Sequence, residues 1–166
     1  IIVTPSADLE IAIPGIVFGS VGTCGQRCTT TRRLIIHESI YDQVKTQLVR
    51  AYQQLDSRIG NPLSEGILIG PMIDAEAVKT FQNALEQIKK QGGTILTGGE
   101  SVQNGPSGLY VRPVLTEAEN HWDIVQEETF GPLLYLIRYQ NFDDALKLQK
   151  DVCLLYTSDA ADESRG

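Results

Sequence analysis

Residues 32–44 read RRLIIHESIYDQV, and the pattern of this segment indicates the fold class. The apolar run at 34–36 has the length and the β-branched content of a buried strand. Ser39 and Asp42 follow it as the predicted capping box of a helix. The residues behind them place apolar side chains near one stripe of that helix: Ile40, Val44, Leu48 and Leu55. A buried strand that leads directly into an amphipathic helix predicts an α/β fold.

The alternation extends upstream of this stretch. The apolar triplet at 1–3 predicts a short strand. Residues 7–21 predict an apolar helix, and Pro14 inside it should bend the helix axis. A glycine-rich segment at 22–28 then connects this helix to the strand at 34–36.

The alternation also extends downstream. A second amphipathic helix starts near Asp74 and stops at the glycine pair 92–93, with four apolar side chains facing inward: Val78, Phe81, Leu85 and Ile88. The segment 98–108 is rich in glycine and polar residues and predicts a loop. The remaining predicted elements are strands at 94–96, 110–115 and 133–139 and a helix capped by Asn141. No internal repeat divides the chain.

Composition and charge restrict the classes of partner. The chain has 166 residues, of which 42% are hydrophobic and 21% charged, so it can bury a core. Its net charge of -7 leaves no basic stripe for phosphates, and we expect no nucleic-acid partner. No apolar run approaches the ~20 residues of a membrane-spanning helix, so we expect no membrane partner.

The tail at 153–166 breaks the pattern of the preceding chain. Its segment CLLYTSDAADE resembles the translated read-through of a transposase-type sequencing adapter. We therefore predict that 153–166 is non-native and that the domain comprises residues 1–152. A frayed natural terminus is the alternative, and sequencing across this junction from native DNA distinguishes the two.

The first chemically informative segment is GQRCTT at 25–30. Cysteine acts as a nucleophile through its thiolate, which a nearby cation or backbone N–H groups stabilise. Arg27 precedes Cys28 directly, and the glycines before them allow a close backbone turn. These properties alone leave open that Cys28 is structural. Cys24 lies nearby, but no second cysteine or histidine pair completes a metal site, so we predict no metal.

The second informative segment is EETFGP at 127–132, just before an apolar strand. A carboxylate such as that of Glu128 can accept two hydrogen bonds from a vicinal diol such as a ribose. The ring of Phe130 can offer a flat face to a heteroaromatic group. On its own, the segment is equally an acidic loop that ends in a Gly-Pro turn.

Together and in this order, the two segments resemble the motifs of the aldehyde dehydrogenase superfamily. GQRCTT matches its active-site cysteine motif, and EETFGP matches its cofactor-contacting motif. The segments before and between these motifs also match the family in the same order: ADLEIAI, RRLIIHESIYDQV, GNP and GPMID. GQRCTT followed by RRLIIHESIYD is most similar to the antiquitin branch, which oxidises α-aminoadipic semialdehyde in lysine breakdown. The resemblance covers residues 1–152. It implies part of the α/β catalytic domain of that fold, a sheet with flanking helices in a three-layer-like arrangement.

The resemblance also implies roles for individual residues. Cys28 would be the nucleophile, with its backbone N–H in the oxyanion site. Glu128 would hold the nicotinamide ribose of NAD or NADP, and Phe130 would pack near the nicotinamide. Arg27 would help to shape the aldehyde pocket. Cys24 stands where we expect a smaller residue and is interpreted as a packing substitution. A homo-oligomer and a cytoplasmic location are implied for the complete enzyme.

Other parts of such an enzyme are absent from this sequence. The family's general-base glutamate, oxyanion asparagine and dinucleotide-binding motifs would lie upstream, and a substrate-facing loop downstream. We therefore predict that this chain alone has no dehydrogenase turnover. Two alternatives remain open: a thiol hydrolase or transferase that pairs Cys28 with His37 or His121, and a non-catalytic module of the same fold.

Overall fold

The computed structural model describes residues 1–102 and 107–152. The segment predicted to be non-native, 153–166, lies outside the described residues. The strands are β1 (Ile2–Val3), β2 (Arg33–His37), β3 (Thr94–Thr97), β4 (Val114–Glu117) and β5 (Leu133–Tyr139). The helices are α1 (Leu9–Val21), α2 (Glu38–Gln53), α3 (Ala75–Lys90), α4 (Asp123–Gln126) and α5 (Phe142–Lys150).

The strands form one mixed sheet in the order β1-β2-β5-β4-β3. The first four of these run parallel, and β3 is antiparallel to β4 at the edge. In the centre, Arg33 of β2 lies opposite Tyr135 of β5, and the pairing continues to His37 opposite Tyr139. The parallel register places the chain segments that enter β2 and β5 at the same edge of the sheet.

Helices cover the central strands, as the apolar runs in β2 and β5 require. Residues 34–36 and 133–137 are all buried. Helix α2 packs against four of the strands and against α1, and α5 packs against β2 and β5. Between α1 and α2, the buried hydroxyls of Ser20 and Tyr52 share a hydrogen bond of 2.8 Å. The predicted α/β class is therefore confirmed.

Helix caps explain several of the element boundaries. The side chain of Asp74 accepts a hydrogen bond from the N–H of Ala77 and starts α3 where the sequence predicted it. Asn141 likewise accepts from the N–H of Asp144 and starts α5. The predicted capping box of Ser39 and Asp42 was wrong, because α2 begins one residue before Ser39.

His37 is the residue that caps α2. Its Nδ1 accepts a hydrogen bond from the N–H of Ser39 at 3.2 Å, and its ring stands edge-on to that of Tyr139. An imidazole nitrogen can therefore take the place of the hydroxyl or carboxylate oxygen that usually caps a helix. This assigns His37 a local structural role at the carboxyl end of β2.

The strand predicted at 110–115 was also wrong in its bounds, because β4 begins at Val114. Pro113 has no N–H to donate to a ladder, so the regular pairing starts after it. The residues just before Pro113 form backbone hydrogen bonds with residues 100–102 instead. The N–H of Val102 donates to the carbonyl of Tyr110 at 2.9 Å, and that of Arg112 donates to Glu100.

A buried arginine ties α5 to the sheet. Arg33 in β2 is only 6% exposed, and its guanidinium donates to the carbonyls of Leu148 and Gln149 and to the side chain of Asn120. Because the two carbonyls lie in the last turn of α5, the cation also meets the negative end of the helix dipole. Arg33 therefore fixes where α5 ends against the sheet.

Candidate active site

The two motifs meet at the amino ends of β2 and β5. The loop with Cys28 leads into β2, and residues 127–132 lead directly into β5. Because these strands are parallel neighbours, the two segments lie side by side. The N–H of Gly131 donates to the carbonyl of Gly25 at 3.1 Å and joins them. The fold thus brings together the two segments that the sequence singled out separately.

A left-handed turn precedes Cys28. Thr23, Cys24 and Gly25 have φ angles of 52°, 54° and 64°, all in the left-handed region. Only the glycine adopts this conformation without strain, and the β-branched Thr23 is the least suited to it. Strained backbone of this kind persists only where the surroundings hold it in place, and it is concentrated at functional sites.

Cys24 within the turn and Cys28 after it have opposite environments. Cys24 is fully buried, and its Sγ lies 3.6 Å from the Sδ of Met72. Burial raises the pKa of the Cys24 thiol to about 12, so this thiol stays protonated at neutral pH. Cys28, four positions later, is exposed. Of these two thiols, only Cys28 is therefore available for attack on a substrate.

Arg32 links the two segments through its buried guanidinium, which is 7% exposed as a residue. It donates to the carbonyls of Arg27 and Thr30 on the Cys28 side and to the carbonyl of Thr129 on the other. It also lies 3.5 Å from the carboxylate of Glu128. Burial lowers the pKa of Arg32, while the charges of Glu128 and Cys28 act in the opposite direction. The guanidinium therefore lies within the electrostatic reach of both predicted site residues.

The ring of Phe130 is only partly covered by other residues. One face lies 4.8 Å from the guanidinium carbon of Arg32, a cation–π arrangement. The residue is nevertheless 41% exposed, and it borders an open, mainly apolar groove of about 640 Å³. The groove is lined by Thr23, Gln26, Pro71, Met72, Ile73, Ala77, Leu109 and Phe130.

Gln26, which follows the turn, is hydrogen-bonded to the segment 71–73 that lines this groove. Its Oε1 accepts a hydrogen bond from the N–H of Ile73 at 2.8 Å, and its Nε2 donates to the carbonyl of Pro71 at 3.2 Å. One amide side chain thus satisfies backbone groups on both sides of Met72. The GQ pair of the cysteine motif and the GPMID segment therefore form one local unit.

Arg27 points a charge toward solvent. The residue is exposed, and within the described residues its guanidinium makes no salt bridge. Its backbone is held, because its N–H donates to Thr30 and its carbonyl accepts from Arg32. It lies beside a small pocket that Phe18 and Gly22 also line. The backbone is fixed while the cation stays available.

Sequence reasoning singled out Arg27 but missed Arg32. A signal was present, because Arg32 precedes the apolar run at 34–36, and arginine is seldom buried without partners. The identity of those partners was not readable. Glu128 and Thr129 lie almost a hundred positions away and become neighbours only through the pairing of β2 with β5.

Among the described residues, neither histidine is hydrogen-bonded to Cys28. His37 is the last residue of β2, whereas Cys28 precedes the strand, so the length of the strand separates them. At ~3.3 Å per residue, that separation far exceeds a hydrogen bond. His121 is exposed in the turn before α4. In the ranges 1–102 and 107–152, no three His, Cys, Asp or Glu side chains come together as a metal site.

The chain matches a family of known proteins over nearly its whole length. The family model described as "Aldehyde dehydrogenase family" matches residues 1–154. This chain belongs to the aldehyde dehydrogenase family. A relative from Arabidopsis thaliana, aldehyde dehydrogenase family 7 member B4, is 44% identical over 152 residues, which is 92% of this chain and 29% of that protein. The α-aminoadipic semialdehyde dehydrogenase of Bos taurus is 43% identical over 153 residues, 92% of this chain and 28% of that protein.

These relatives confirm both the family and the antiquitin branch that the motifs predicted. The chain spans less than a third of the length of either relative. Among solved structures, an NAD⁺ complex of aldehyde dehydrogenase from Bacillus cereus has a TM-score of 0.85 at 27% identity, covering 91% of this chain and 30% of that chain. No helix in the described residues has the length and apolar character needed to cross a bilayer.

Proposed function

We propose that this chain is the thiol-bearing part of an NAD-dependent aldehyde dehydrogenase that converts an aldehyde into a carboxylic acid. One observation carries the proposal: the exposed Cys28 lies on a loop that is hydrogen-bonded, through Gly25 and Gly131, to the loop with Glu128 and Phe130. The proposed nucleophile and the segment proposed to contact the cofactor thus belong to one hydrogen-bonded unit.

Cys28 begins the reaction in this proposal. Its thiolate attacks the aldehyde carbon and forms a C–S bond, and the carbonyl oxygen becomes an oxyanion that the Cys28 backbone N–H helps to stabilise. Loss of hydride from that carbon leaves a thioester on Cys28. Water then attacks the thioester, the C–S bond breaks, and the acid and the free thiol are released. A glutamate outside this chain is proposed to activate that water.

NAD or NADP would supply the hydride acceptor when bound. The residues present fit such a group. The Glu128 side chain is 28% exposed, so its carboxylate can accept hydrogen bonds from the two hydroxyls of a ribose. The ring of Phe130 combines an exposed surface with an apolar groove, where a heteroaromatic ring can pack. In this arrangement Glu128 would orient the ribose, and Phe130 would exclude water from the heteroaromatic ring.

The proposed substrate is α-aminoadipic semialdehyde, as in the bovine relative's name. This aldehyde carries a carboxylate at the end remote from the reacting carbon. Arg27 is exposed and has no salt-bridge partner among the described residues, which supports a role in binding an anionic group of the substrate. Arg27 directly precedes Cys28 in the chain, so its backbone belongs to the loop that carries the proposed nucleophile. The proposed substrate and the proposed place of this reaction in lysine breakdown both depend on the similarity of this chain to the antiquitin branch.

The chain alone is proposed to be inactive. Two large apolar side chains of α1 are exposed, Ile11 by 74% and Phe18 by 59%. A helix that is apolar on all sides is typical of a buried position. We therefore propose that α1 is covered by other parts of a longer enzyme, which also supply the dinucleotide-binding domain. A homo-oligomeric assembly and a cytoplasmic location for that enzyme remain predictions from the family resemblance.

The test uses the complete enzyme, either the natural longer protein or a chimera with residues 1–152 in place of the matching segment of the Arabidopsis relative. Cys28→Ala is expected to lower NADH formation from the aldehyde by about 1,000-fold or more, because it removes the nucleophile. Cys24→Ala is the matched control and should retain most of the activity. Full aldehyde oxidation by the Cys28 variant would contradict the proposal. NADH formation at enzymatic rates by residues 1–166 alone would contradict the proposed inactivity.

A further inference from the structure

We infer that Arg32 is a positioning residue that fixes the Glu128 carboxylate against the Cys28 loop, so that cofactor binding depends on a residue that does not touch the cofactor. This inference rests on the proposed function, because it assigns Glu128 to the cofactor. Its basis is the set of contacts that one buried guanidinium makes on both sides of the site.

The guanidinium is bound by the loops that it connects. Its Nε donates to the carbonyl of Thr129 at 3.2 Å, and its Nη1 donates to that of Thr30 at 3.0 Å. The remaining amino group, Nη2, donates to the carbonyl of Arg27 at 3.3 Å and lies 3.5 Å from Glu128 Oε1. All three nitrogens of the planar group are thus engaged, and lysine has only one nitrogen to offer in their place.

The Glu128 side chain has two requirements that Arg32 reconciles. It must stay accessible to accept hydrogen bonds from a ribose, and it must hold one orientation while it does so. An exposed carboxylate with no fixed partner would sample several rotamers, and ordering it would weaken binding. The buried cation beneath it restrains the carboxylate from the protein side and leaves its other oxygen free.

The neighbouring Arg33, the first residue of β2, provides a matched comparison one position along the chain. Both arginines are buried, and both donate to main-chain carbonyls. Arg33, however, donates to Leu148 and Gln149 at the end of α5, and within the described residues its side chain has no hydrogen bond to either site segment. A purely structural role for Arg32 predicts that substitutions at the two positions have the same kind of effect, namely lower stability alone.

The experiment measures kinetics in the complete enzyme for four forms: the unsubstituted enzyme, Arg32→Lys, Glu128→Gln and the double variant. We expect Arg32→Lys to raise the KM for NAD by about 10-fold, the cost of one charge-assisted hydrogen bond. The double variant should match Glu128→Gln within about twofold, because Arg32 acts through that carboxylate. Arg33→Lys should lower the melting temperature and leave the KM for NAD unchanged.

Three outcomes would overturn the inference: an unchanged KM for NAD in Arg32→Lys, effects that multiply in the double variant, or an equal rise in KM for Arg33→Lys. If Arg32→Lys does not fold, Arg32→Gln combined with Glu128→Gln removes both charges and leaves no unpaired buried ion. Its KM for NAD, compared with that of Glu128→Gln alone, gives the same answer. Full activity of Cys28→Ala would instead contradict the proposed function, so the two failures are distinguishable.

Discussion

The carbonyl of Gly25 accepts a hydrogen bond from the N–H of Gly131, and this contact joins the cysteine loop to the loop that enters β5. Both positions exclude a side chain. A Cβ on Gly25 would fall inside contact distance of the Gly131 carbonyl, and a Cβ on Gly131 would lie 2.8 Å from the ring of Phe81. The two glycines therefore permit the close approach on which the site depends.

Gly25→Ala is expected to destabilise the protein by at least about 2 kcal/mol, from the left-handed backbone and the clash together. It should also lower the activity of the complete enzyme, because the two loops must separate. Gly22→Ala is the matched control, since a Cβ there meets nothing within 4 Å and its φ is negative. Thermal melting and NADH formation measure both effects. Equal melting temperatures for the two variants would refute the contact's importance.

Cys24 and Cys28 should differ sharply in reactivity toward iodoacetamide. Burial raises the pKa of Cys24 to about 12, so its thiolate is scarce from pH 7 to about 9, and the surrounding core also excludes the reagent. Cys28 is exposed and should be alkylated first. Peptide mapping by mass spectrometry of the native protein at pH 8 decides the matter. Labelling of Cys24 at the same rate as Cys28 would show that the turn is open in solution.

Local patterns were sufficient for much of the fold. The strand at 133–139 was predicted with the bounds that it has, and Asp74 and Asn141 were recognised as caps because capping depends on neighbours within one turn. The bounds of β4 failed for an equally local reason that was overlooked. Pro113 cannot donate to the ladder, so an apolar run that begins at Tyr110 does not become a regular strand until Val114.

The candidate site was predictable only in part. Motif resemblance singled out Cys28 and Glu128 without requiring their contacts, and their roles stay predictions. The left-handed turn at 23–25 was not predicted, since neither Thr23 nor Cys24 favours positive φ. Arg32 was missed because its partners are distant in sequence. The contacts of Arg32 with Glu128 and Thr129 follow from the pairing of β2 with β5, which short-range patterns do not encode.

Thr23→Gly is expected to stabilise the protein by about 1 kcal/mol, because it removes the strain of a β-branched residue at a φ of 52°. Part of this gain is offset by the greater entropy of glycine in the unfolded chain. The control is Thr80→Gly in the exposed face of α3, which should destabilise by up to about 1 kcal/mol. Urea denaturation of both variants gives the comparison. A destabilised Thr23→Gly would mean that the side chain contributes more than the strain costs.

Stability should fall at alkaline pH because of buried phenols. Burial raises the pKa of Tyr41, Tyr52 and Tyr135 above its ordinary value. The unfolded chain ionises near pH 10 while the folded chain keeps these protons, so the stabilisation is complete below pH 10 and is lost above it. Each phenol contributes about 1.4 kcal/mol per pH unit there. Tyr52→Phe should make the decline shallower by one such increment, measured as unfolding free energy from pH 8 to 11. A decline of unaltered slope in this variant would contradict the assignment.

The charge of Arg27 can be tested through the choice of aldehyde. If its guanidinium binds the remote carboxylate of the substrate, Arg27→Gln should lower kcat/KM for a carboxylate-bearing aldehyde by about 10-fold, mainly through KM, since the lost interaction is made before and during the reaction alike. A neutral aliphatic aldehyde of the same length should be oxidised at an unchanged rate. Arg138→Gln, which removes a surface cation that is paired with Asp42, serves as the control for net charge. If both aldehydes lose the same factor, Arg27 acts on the cysteine loop rather than on the substrate, because a carboxylate contact cannot affect a molecule that has none.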